Sequence, residues 1–381
     1  MIPGIFDELF GIRLFGYISF RMAMAALTAF GFALWWGRPA IAWLRSHRVQ
    51  EDVSKTDAHD LARLNKENKK HETTTMGGSF LIAALLSSVL LWARLDNIHV
   101  VLGVILVAGF AAVGFVDDFK KLTIRDSNGL SRRSKMLGLT IVALGCLGAL
   151  CYYARTSGRD TLLELYPPLL KDSVIPLPAW GFAGIALFLA FEWLVVVGSA
   201  NATNITDGLD GLAAGLLIIS GLTLSVFCYV SGRHDWTAYL HLPHIVAASE
   251  MAVVGGGLVG ACLGFLWYNA YPAQVFMGDS GSLPLGGLLA WMALVSKQEL
   301  VLPLIACVFV LDLGSSWLQT FHYRRTKRRI FTCAPVHHGL QLHGGFFKPA
   351  DKPWHEVQIV IRFWIVAACG AMASLALLKV R

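Results

Sequence analysis

Ten apolar segments, each about as long as a membrane-spanning helix, dominate this sequence. A hydrocarbon core about 30 Å thick is crossed by roughly 20 apolar residues in a helix. The segments run approximately over residues 17–44, 77–95, 98–116, 137–154, 179–197, 212–230, 245–268, 283–296, 300–320 and 357–378. Only 15% of the residues are charged, compared with about a quarter in soluble domains. The sequence therefore predicts an all-α polytopic membrane protein that forms a single integral membrane domain over residues 1–381.

The basic residues are distributed unevenly between the two sides that these segments define. Loops on one side contain 20 Lys and Arg residues and the opposite side contains 9. The positive-inside rule places the richer side in the cytoplasm and both termini outside it. The predicted cytoplasmic loops are residues 45–76, 117–136, 198–211, 269–282 and 321–356. Because this asymmetry accounts for the net charge of +7, that charge does not indicate a nucleic-acid partner.

The polar motifs of the chain all fall in these predicted cytoplasmic loops. They are VDDFKK at 116–121, NITDGLDG at 204–211, NAYPAQVFMGDSGS at 269–282 and APVHHG at 334–339. The loops at 198–211 and 269–282 contain no Lys or Arg, so topology does not explain their acids. Acidic groups at membrane depth are costly and usually mark a pathway or a site.

Asp117 and Asp118 follow the third apolar segment. A polar helix end at the membrane interface would explain them equally well. Acids at a helix C-terminus oppose the macrodipole and need a compensating cation, which the following Lys120 and Lys121 can supply. Neighbouring helical residues point about 100° apart, so we expect both carboxylates to serve one metal only if the helix frays there.

Asp207 and Asp210 are three residues apart and share a face if the sixth helix begins near them. Gly208 and Gly211 permit close approach of the backbone. One of the two acids can be explained as a helix N-cap. Both together, with Asn204 upstream and no cation in the loop, favour a binding site.

Asp279 lies in the third of the acidic loops, within FMGDSGS. Asp residues from three loops on one side form a hard oxygen environment, which suits Mg²⁺ bound between carboxylates and substrate phosphates. Basic loops nearby make this a candidate site for phosphoryl transfer. The sequence contains no GxxxxGK[ST] loop, which argues against an ATP-driven pump.

His337 and His338 are adjacent, so their rings are expected to diverge, and they lack the i, i+4 spacing of a helical zinc pair. Taken alone, the two histidines are better explained as a pair of loop histidines at the interface. The seven cysteines lie mostly in apolar segments without ligand spacing and are interpreted as small hydrophobic residues.

These motifs together resemble the phospho-N-acetylmuramoyl-pentapeptide transferases, within the polyprenyl-phosphate N-acetylhexosamine-1-phosphate transferases. The resemblance extends from Lys70 to Trp364. It includes KHETTTMGG (70–78), GFVDDFKK (114–121), GLSRRSK (129–135), NATNITDGLDGLA (201–213) and WHEVQIVIRFW (354–364), besides the motifs above. It implies Mg²⁺-dependent transfer from UDP-N-acetylmuramoyl-pentapeptide to undecaprenyl phosphate, giving lipid I and UMP, at the cytoplasmic face of the bacterial inner membrane.

The resemblance also implies roles for individual residues. Asp279 would hold Mg²⁺ with Asp117 and Asp118 beside it, and Asp117 would act as base toward the lipid phosphate. Asp207 is similar to a further essential acid of the family. Other residues that the resemblance places at the substrates are Lys70, Lys121, Lys135, Asn204 and Asn269 toward phosphate or ribose, Gly208, Asp210 and Phe276 toward uracil, and His337 and His338 toward substrate or catalysis.

The sequence departs from the family pattern at three positions. Gly339 replaces the third His of the usual HHH run, Gln341 replaces the acid that follows it, and Thr74 replaces a Pro. These departures concern the histidine motif more than the metal site.

Two alternatives to this interpretation stay open at the level of sequence. A sister enzyme that transfers N-acetylglucosamine-1-phosphate to the same lipid would share the metal and lipid-phosphate motifs. A secondary transporter would also bury acids, although its sites lie near the bilayer midplane rather than at one face. The family further suggests a homodimer.

Overall fold

The computed structural model describes residues 13–47, 73–123, 129–168, 170 and 174–379. Lys70, which the family resemblance places at the substrates, lies outside this part of the chain. In the described residues the fold is helical, and β-pairing is limited to two isolated bridges, Thr74 with Val275 and Leu165 with Ile175. The α-helices are α1 (Ile18–Ser46), α2 (Gly78–Trp92), α3 (Ile98–Thr123), α4 (Arg132–Thr156), α5 (Gly181–Thr206), α6 (Leu212–Ser231), α7 (His234–Leu240), α8 (Ser249–Asn269), α9 (Asp279–Val295), α10 (Leu302–Ile305), α11 (Cys307–Thr326), α12 (Val336–His343) and α13 (Glu356–Ala376).

All ten predicted apolar segments form helices, which confirms an all-α polytopic membrane protein. Seven segments of the described chain are long and apolar enough to cross a membrane. They are Ile18–Ser46, Ile98–Lys121, Arg132–Thr156, Leu177–Thr206, Leu212–Ser231, Val246–Asn269 and Glu356–Ala376. Two of the other predicted segments correspond to α2 and α9. The predicted segment 300–320 is divided at Ala306 into α10 and α11.

The short helix α9 lies at the centre of the bundle. It has 17 residues and is therefore only about 26 Å long at 1.5 Å per residue. All of its residues are buried, against α3, α5 and α6 among others. A helix surrounded by protein does not have to match the thickness of the lipid. The apolar segment predicted at 283–296 is therefore shorter than the helix itself. The helix begins at Asp279, four residues before the predicted segment and ahead of Pro284.

Glycines on α8 allow close packing against α1. A Cβ atom on Gly256 would lie 2.4 Å from the Met22 carbonyl oxygen, and one on Gly260 would lie 1.9 Å from that of Ala26. Both distances are far below a van der Waals contact, so only glycine fits. Small residues spaced along one helix face are a common means of bringing membrane helices together.

Glycines also allow the ends of three helices to pack closely together. A Cβ on Gly114 of α3 would lie 2.2 Å from the Asp279 carbonyl oxygen, and one on Gly78, at the start of α2, would lie 2.2 Å from the Gly281 nitrogen. The end of α3 and the starts of α2 and α9 therefore converge. This junction carries the candidate site.

Candidate active site

Three aspartates meet at this helix junction. Asp117 and Asp118 come from the last turns of α3 and Asp279 opens α9. One carboxylate oxygen of each lies within 4.8 Å of the others, and all three residues are buried. Three hard oxygen ligands in this arrangement suit a divalent cation such as Mg²⁺.

The expectation that α3 must fray for both acids to serve one site was wrong. The helix continues to Thr123. The start of α9 lies beside both carboxylates: Asp118 accepts hydrogen bonds from the backbone N–H of Asp279 (3.3 Å) and of Ser280 (3.0 Å). This contact places a carboxylate at a helix N-terminus, where the macrodipole stabilises negative charge.

Asp117 is held from the other side by the chain that leads into α4. Its Oδ1 atom accepts the Leu130 N–H at 2.7 Å. Gly129 precedes this contact with φ +82°, and a Cβ there would lie 2.7 Å from the same Oδ1. A side chain at position 129 would therefore be strained and would also displace the Asp117 carboxylate.

Two lysines complete the charged cluster. The Lys121 ammonium lies 2.7 Å from Asp117 Oδ2, 3.5 Å from Asp279 Oδ2 and 3.6 Å from Asp118 Oδ1. Lys135, on the first turn of α4, pairs with Asp279 Oδ2. The three carboxylates together carry more negative charge than the two ammonium groups balance, so the site favours a cation. The two lysines can also bind an anionic substrate.

Asn204 connects the fifth helix to this cluster. Its side-chain N–H group donates to Asp279 Oδ1 at 2.6 Å and to Ser282 Oγ at 3.0 Å. Because Asn204 lies in the last turn of α5, this contact joins α5 to the start of α9.

The segment after Asn204 differs from its predicted structure. α6 begins only at Leu212, and its N-cap is Gly211 with φ +79°. Asp207 is instead the C-cap of α5. Neither Asp207 nor Asp210 caps α6, and they do not share its face. Residues 207–211 form a turn between α5 and α6. This turn depends on Gly211, which adopts a left-handed conformation that other residues avoid.

Asp210 and Asn269 join this turn to the loop before α9. Asp210 Oδ2 accepts the Ala273 N–H at 3.0 Å. Asn269 accepts the Gly211 N–H at 3.0 Å and donates to the Val275 carbonyl at 2.8 Å. These hydrogen bonds of both residues are with the backbone of the two loops that surround the site.

The two histidines lie on a short helix rather than in a loop. His337 and His338 occupy the first turn of α12, and their ring centroids are 4.2 Å apart in an edge-to-face arrangement. The prediction that the rings diverge was therefore wrong. A Cβ on Gly208 would lie 2.6 Å from His337 Nε2 and 3.2 Å from His338 Nε2. Both rings thus approach the turn at Gly208.

Asp312 is a site residue that the sequence analysis missed. Its Oδ2 atom lies 2.9 Å from His337 Nδ1, and both side chains are fully buried. An acid within an apolar helix was a signal for it, because ionisable residues in membrane segments usually have a functional role. His338 Nδ1 is held in the same way by Gln341 Oε1 at 3.1 Å.

Glu356 is a second residue that was missed. It opens α13, and its Oε1 atom accepts the Asp210 N–H at 2.7 Å. The sequence analysis did not predict a role for Glu356, because it precedes the apolar run of the last helix, although it lies within the WHEVQIVIRFW motif. It holds the backbone of the turn at Asp210, whose side chain is held by the Ala273 N–H.

Phe276 lies in an extended segment beside the start of α2. Its N–H donates to the Thr74 carbonyl at 2.8 Å and its carbonyl accepts the Gly77 N–H at 2.9 Å. Its side chain is half-buried. The backbone of the MGG motif therefore fixes the position of Phe276 independently of its ring.

An apolar groove of about 560 Å³ runs beside the cluster, between α5 and α11. It begins at Ile205, next to Asn204, and passes Leu313, Trp317 and Phe321. Arg324 and Arg325 of the last turn of α11 also line it, with the Arg325 guanidinium 4.2 Å from the centre of the Phe321 ring. The groove can take a long apolar chain, and its arginines can contact an anionic group.

A helical membrane bundle with buried carboxylates and lysines at one helix junction, beside an apolar groove, defines the class of integral membrane transferases. Residues 99–297 match the model of Glycosyl transferase family 4. The chain is also 40% identical to a phospho-N-acetylmuramoyl-pentapeptide-transferase of Neisseria gonorrhoeae (strain NCCP11945), over 97% of this chain and 96% of the relative. A relative of the same name from Thermodesulfovibrio yellowstonii is 38% identical over 98% of this chain and 97% of its own length. The protein therefore belongs to Glycosyl transferase family 4, and the family resemblance of its motifs is confirmed.

Proposed function

We propose that this protein transfers phospho-N-acetylmuramoyl-pentapeptide from its UDP donor to undecaprenyl phosphate, giving lipid I and UMP in peptidoglycan synthesis. The observation that carries the proposal is the cluster of three buried aspartates with two lysines beside an apolar groove. The names of the relatives, which match almost the whole chain, support this donor. The reaction exchanges one pyrophosphate bond for another, so it needs no ATP.

The resident cation that we propose is Mg²⁺, with Asp117, Asp118 and Asp279 as its ligands. The donor set fits, because it consists of carboxylate oxygens only and these lie within 4.8 Å of one another. When bound, the cation would neutralise charge on the phosphates of the donor. Asn204 would orient the Asp279 carboxylate through its 2.6 Å hydrogen bond.

The protein's own residues would bind and orient the two reacting phosphates. Asp117 would accept the proton of the lipid phosphate, and its carboxylate is oriented by the Leu130 N–H at Oδ1 and by Lys121 at Oδ2. Lys121 and Lys135 would stabilise the negative charge that develops during transfer. Lys70, which lies outside the described residues, would add a third positive charge.

The nucleotide would lie over the turn that links α5 and α6. Asp207, Gly208, Asp210 and Asn269 would surround the uridine, and the ring of Phe276 would stack on uracil. This proposal is supported by the hydrogen bonds that hold Asp210 and Asn269 between the two loops. His337 and His338, which approach Gly208, would contact the phosphate or sugar part of the donor.

The prenyl chain of the acceptor would occupy the groove between α5 and α11. This groove starts one residue from Asn204, so a lipid within it can present its phosphate to the aspartate cluster. The surface of the groove is formed mainly by Leu313, Trp317 and Phe321. Burial of each methylene group of the chain would contribute about 0.8 kcal/mol.

We further propose that the site faces the cytoplasm of a bacterial inner membrane. The loops 45–76, 117–136, 198–211, 269–282 and 321–356 would form the cytoplasmic surface, and both termini would lie outside. The excess of Lys and Arg in these loops supports this orientation. The family resemblance also suggests a homodimer.

The experiment that tests the function is a measurement of UMP release by the purified, reconstituted protein. The protein receives Mg²⁺, undecaprenyl phosphate and either UDP-N-acetylmuramoyl-pentapeptide or UDP-N-acetylglucosamine. We expect UMP only with the muramoyl-pentapeptide donor, and only when the lipid phosphate is present. Release of UMP with UDP-N-acetylglucosamine but not with the muramoyl-pentapeptide donor would identify the sister activity. No release with either donor would contradict the proposal that the protein is a transferase.

A further inference from the structure

Four titratable side chains are enclosed at the end of the bundle opposite to the aspartates. They are His99 in the first turn of α3, Glu192 in α5, and Lys297 and Glu299 directly after α9, here called the distal cluster. None of them is more than 3% exposed. Because α9 separates Lys297 from Asp279 by about 26 Å, the distal cluster cannot touch the reacting groups. The proposed function gives it no role.

The contacts of Glu192 are unusual for a buried glutamate. Lys297 Nζ lies 3.1 Å from Glu299 Oε1, so Glu299 has a cationic partner. Lys297 Nζ also lies 5.5 Å from the centre of the Phe188 ring, one turn before Glu192 on α5, and Glu192 interacts with Glu299. Neither Glu192 oxygen has a hydrogen-bond donor among the residues that the structure describes. Two carboxyl groups can form a hydrogen bond only when one of them carries a proton.

The charges of the distal cluster lead to the same conclusion. Two ionised carboxylates and one ammonium would leave a negative charge in a place that excludes water, and an uncompensated buried charge is strongly unfavourable. The fourth member of the cluster, His99, adds no charge when its ring is neutral. The titratable groups outside the cluster that act on it are Cys151 and Arg159. Arg159 is exposed, so it does not neutralise a buried carboxylate by contact. One additional proton would make the cluster neutral.

A metal ion fits the distal cluster less well than a proton. In the described part of the chain, the three aspartates of the active site are the only group of three or more His, Cys, Asp or Glu residues whose ligand atoms converge. Two carboxyl groups that interact with each other are, in contrast, an ordinary site for one shared proton.

We propose that Glu192 carries a proton that it donates to Glu299, so that the distal cluster is a buried proton-binding site. Lys297 keeps the negative charge on Glu299, which assigns the proton to Glu192. The hydrogen bond ties the middle of α5 to the segment that follows α9. The same two helices meet at their other ends through Asn204 and Asp279. The proton therefore provides a second connection between two helices that carry active-site residues.

The proton is tested directly by infrared spectroscopy of the full-length protein in lipid nanodiscs at neutral pH. We expect a carbonyl stretch from a protonated, buried carboxyl group in the wild type. This band should be absent in Glu192→Gln and unchanged in Glu250→Gln, because Glu250 is the ionised partner of Arg21. A wild-type spectrum without the band, or a band that persists in Glu192→Gln, would overturn the proposal.

Thermal unfolding of the same variants gives an independent readout. Glutamine has the shape and donor capacity of a protonated glutamate, so Glu192→Gln should unfold at nearly the wild-type temperature, whereas Glu192→Ala should unfold several degrees lower. The matched control is Glu250→Gln, which should lose several degrees because Arg21 loses its charged partner. If Glu192→Gln is as unstable as Glu192→Ala, Glu192 is ionised and the proposal is wrong. Because neither readout uses turnover, this outcome is separate from a failure of the proposed function.

Discussion

The Asn204 side chain donates a hydrogen bond of 2.6 Å to Asp279 Oδ1, which joins the last turn of α5 to the first residue of α9. The other oxygen of the same carboxylate faces Lys121 and Lys135. Asp279 is therefore held from two sides by residues of three helices. Its orientation depends on groups that lie at least 75 residues away from it in the sequence, and Asn204 is the uncharged one among them.

Replacing Asn204 with Ala should lower turnover without preventing folding. A hydrogen bond to a charged group contributes about 1.5–3 kcal/mol, so its loss should reduce kcat roughly 10- to 100-fold. The measurement is UMP release from the reconstituted variant. Asn201→Ala is the matched control, because Asn201 lies one turn earlier on α5 and donates to the Val197 carbonyl at 2.8 Å. Equal losses in the two variants would contradict a specific role for Asn204.

Replacing Asp279 with Asn should abolish turnover while the protein still inserts and folds. The change keeps the shape of the side chain but removes the charge on which Lys135 and the cation would depend. We expect UMP release to fall by more than about 10³-fold at every Mg²⁺ concentration. Asp160→Asn, at an exposed position, should retain wild-type activity. Normal activity of Asp279→Asn would refute the metal assignment.

The helices were largely predictable because a helix that crosses the lipid needs an apolar run of about the thickness of the hydrocarbon core. This reasoning fails for α9, which is surrounded by protein. Its N-terminal turn, Asp279 to Ser282, is polar but buried, since neighbouring helices rather than lipid surround it. Hydropathy alone therefore placed its start four residues too late. The turn at 207–211 was misjudged for a related reason, because Gly211 rather than an aspartate caps α6.

Which residues meet in the site was harder to predict than which motifs are involved. The carboxylates of Asp117 and Asp118 converge because a helix N-terminus from elsewhere in the chain lies against them, and no local pattern encodes that contact. The pair of Asp312 and His337 joins residues 25 positions apart. Such pairs depend on how helices pack, whereas the sequence periodicity shows only which residues are buried.

Gly129→Ala should reduce turnover more than a second glycine substitution with similar backbone strain. Gly129 and Gly158 both have positive φ, at +82° and +64°, but a Cβ on Gly129 would meet Asp117 Oδ1 whereas one on Gly158 would meet nothing within 4 Å. Both variants should lose about 1 kcal/mol of stability. Only Gly129→Ala should also lose roughly tenfold in kcat, equivalent to about 1.4 kcal/mol. Similar kcat values in the two variants would show that the Asp117 position is not critical.

The pair of Asp312 and His337 should behave as one functional unit in a double-mutant cycle. The two side chains are fully buried and 2.9 Å apart, so removal of either one leaves the other without its partner. We expect Asp312→Ala and His337→Ala each to lower kcat, and the double variant to be little worse than either. The coupling energy should be about 1–3 kcal/mol. Additive losses would show that Asp312 does not act through His337.

Phe276→Ala should weaken nucleotide binding and leave the fold intact. The hydrogen bonds of Phe276 to Thr74 and Gly77 involve only its backbone, so the substitution removes the ring without removing these contacts. If the ring stacks on uracil, calorimetry should show a loss of about 1–3 kcal/mol in the binding free energy of UMP. Phe347→Ala is the control, since Phe347 is an exposed aromatic residue of the 321–356 loop and should bind UMP like the wild type. An unchanged affinity in Phe276→Ala would assign the ring to packing, and an equal loss in both variants would indicate a general effect on the loops rather than stacking.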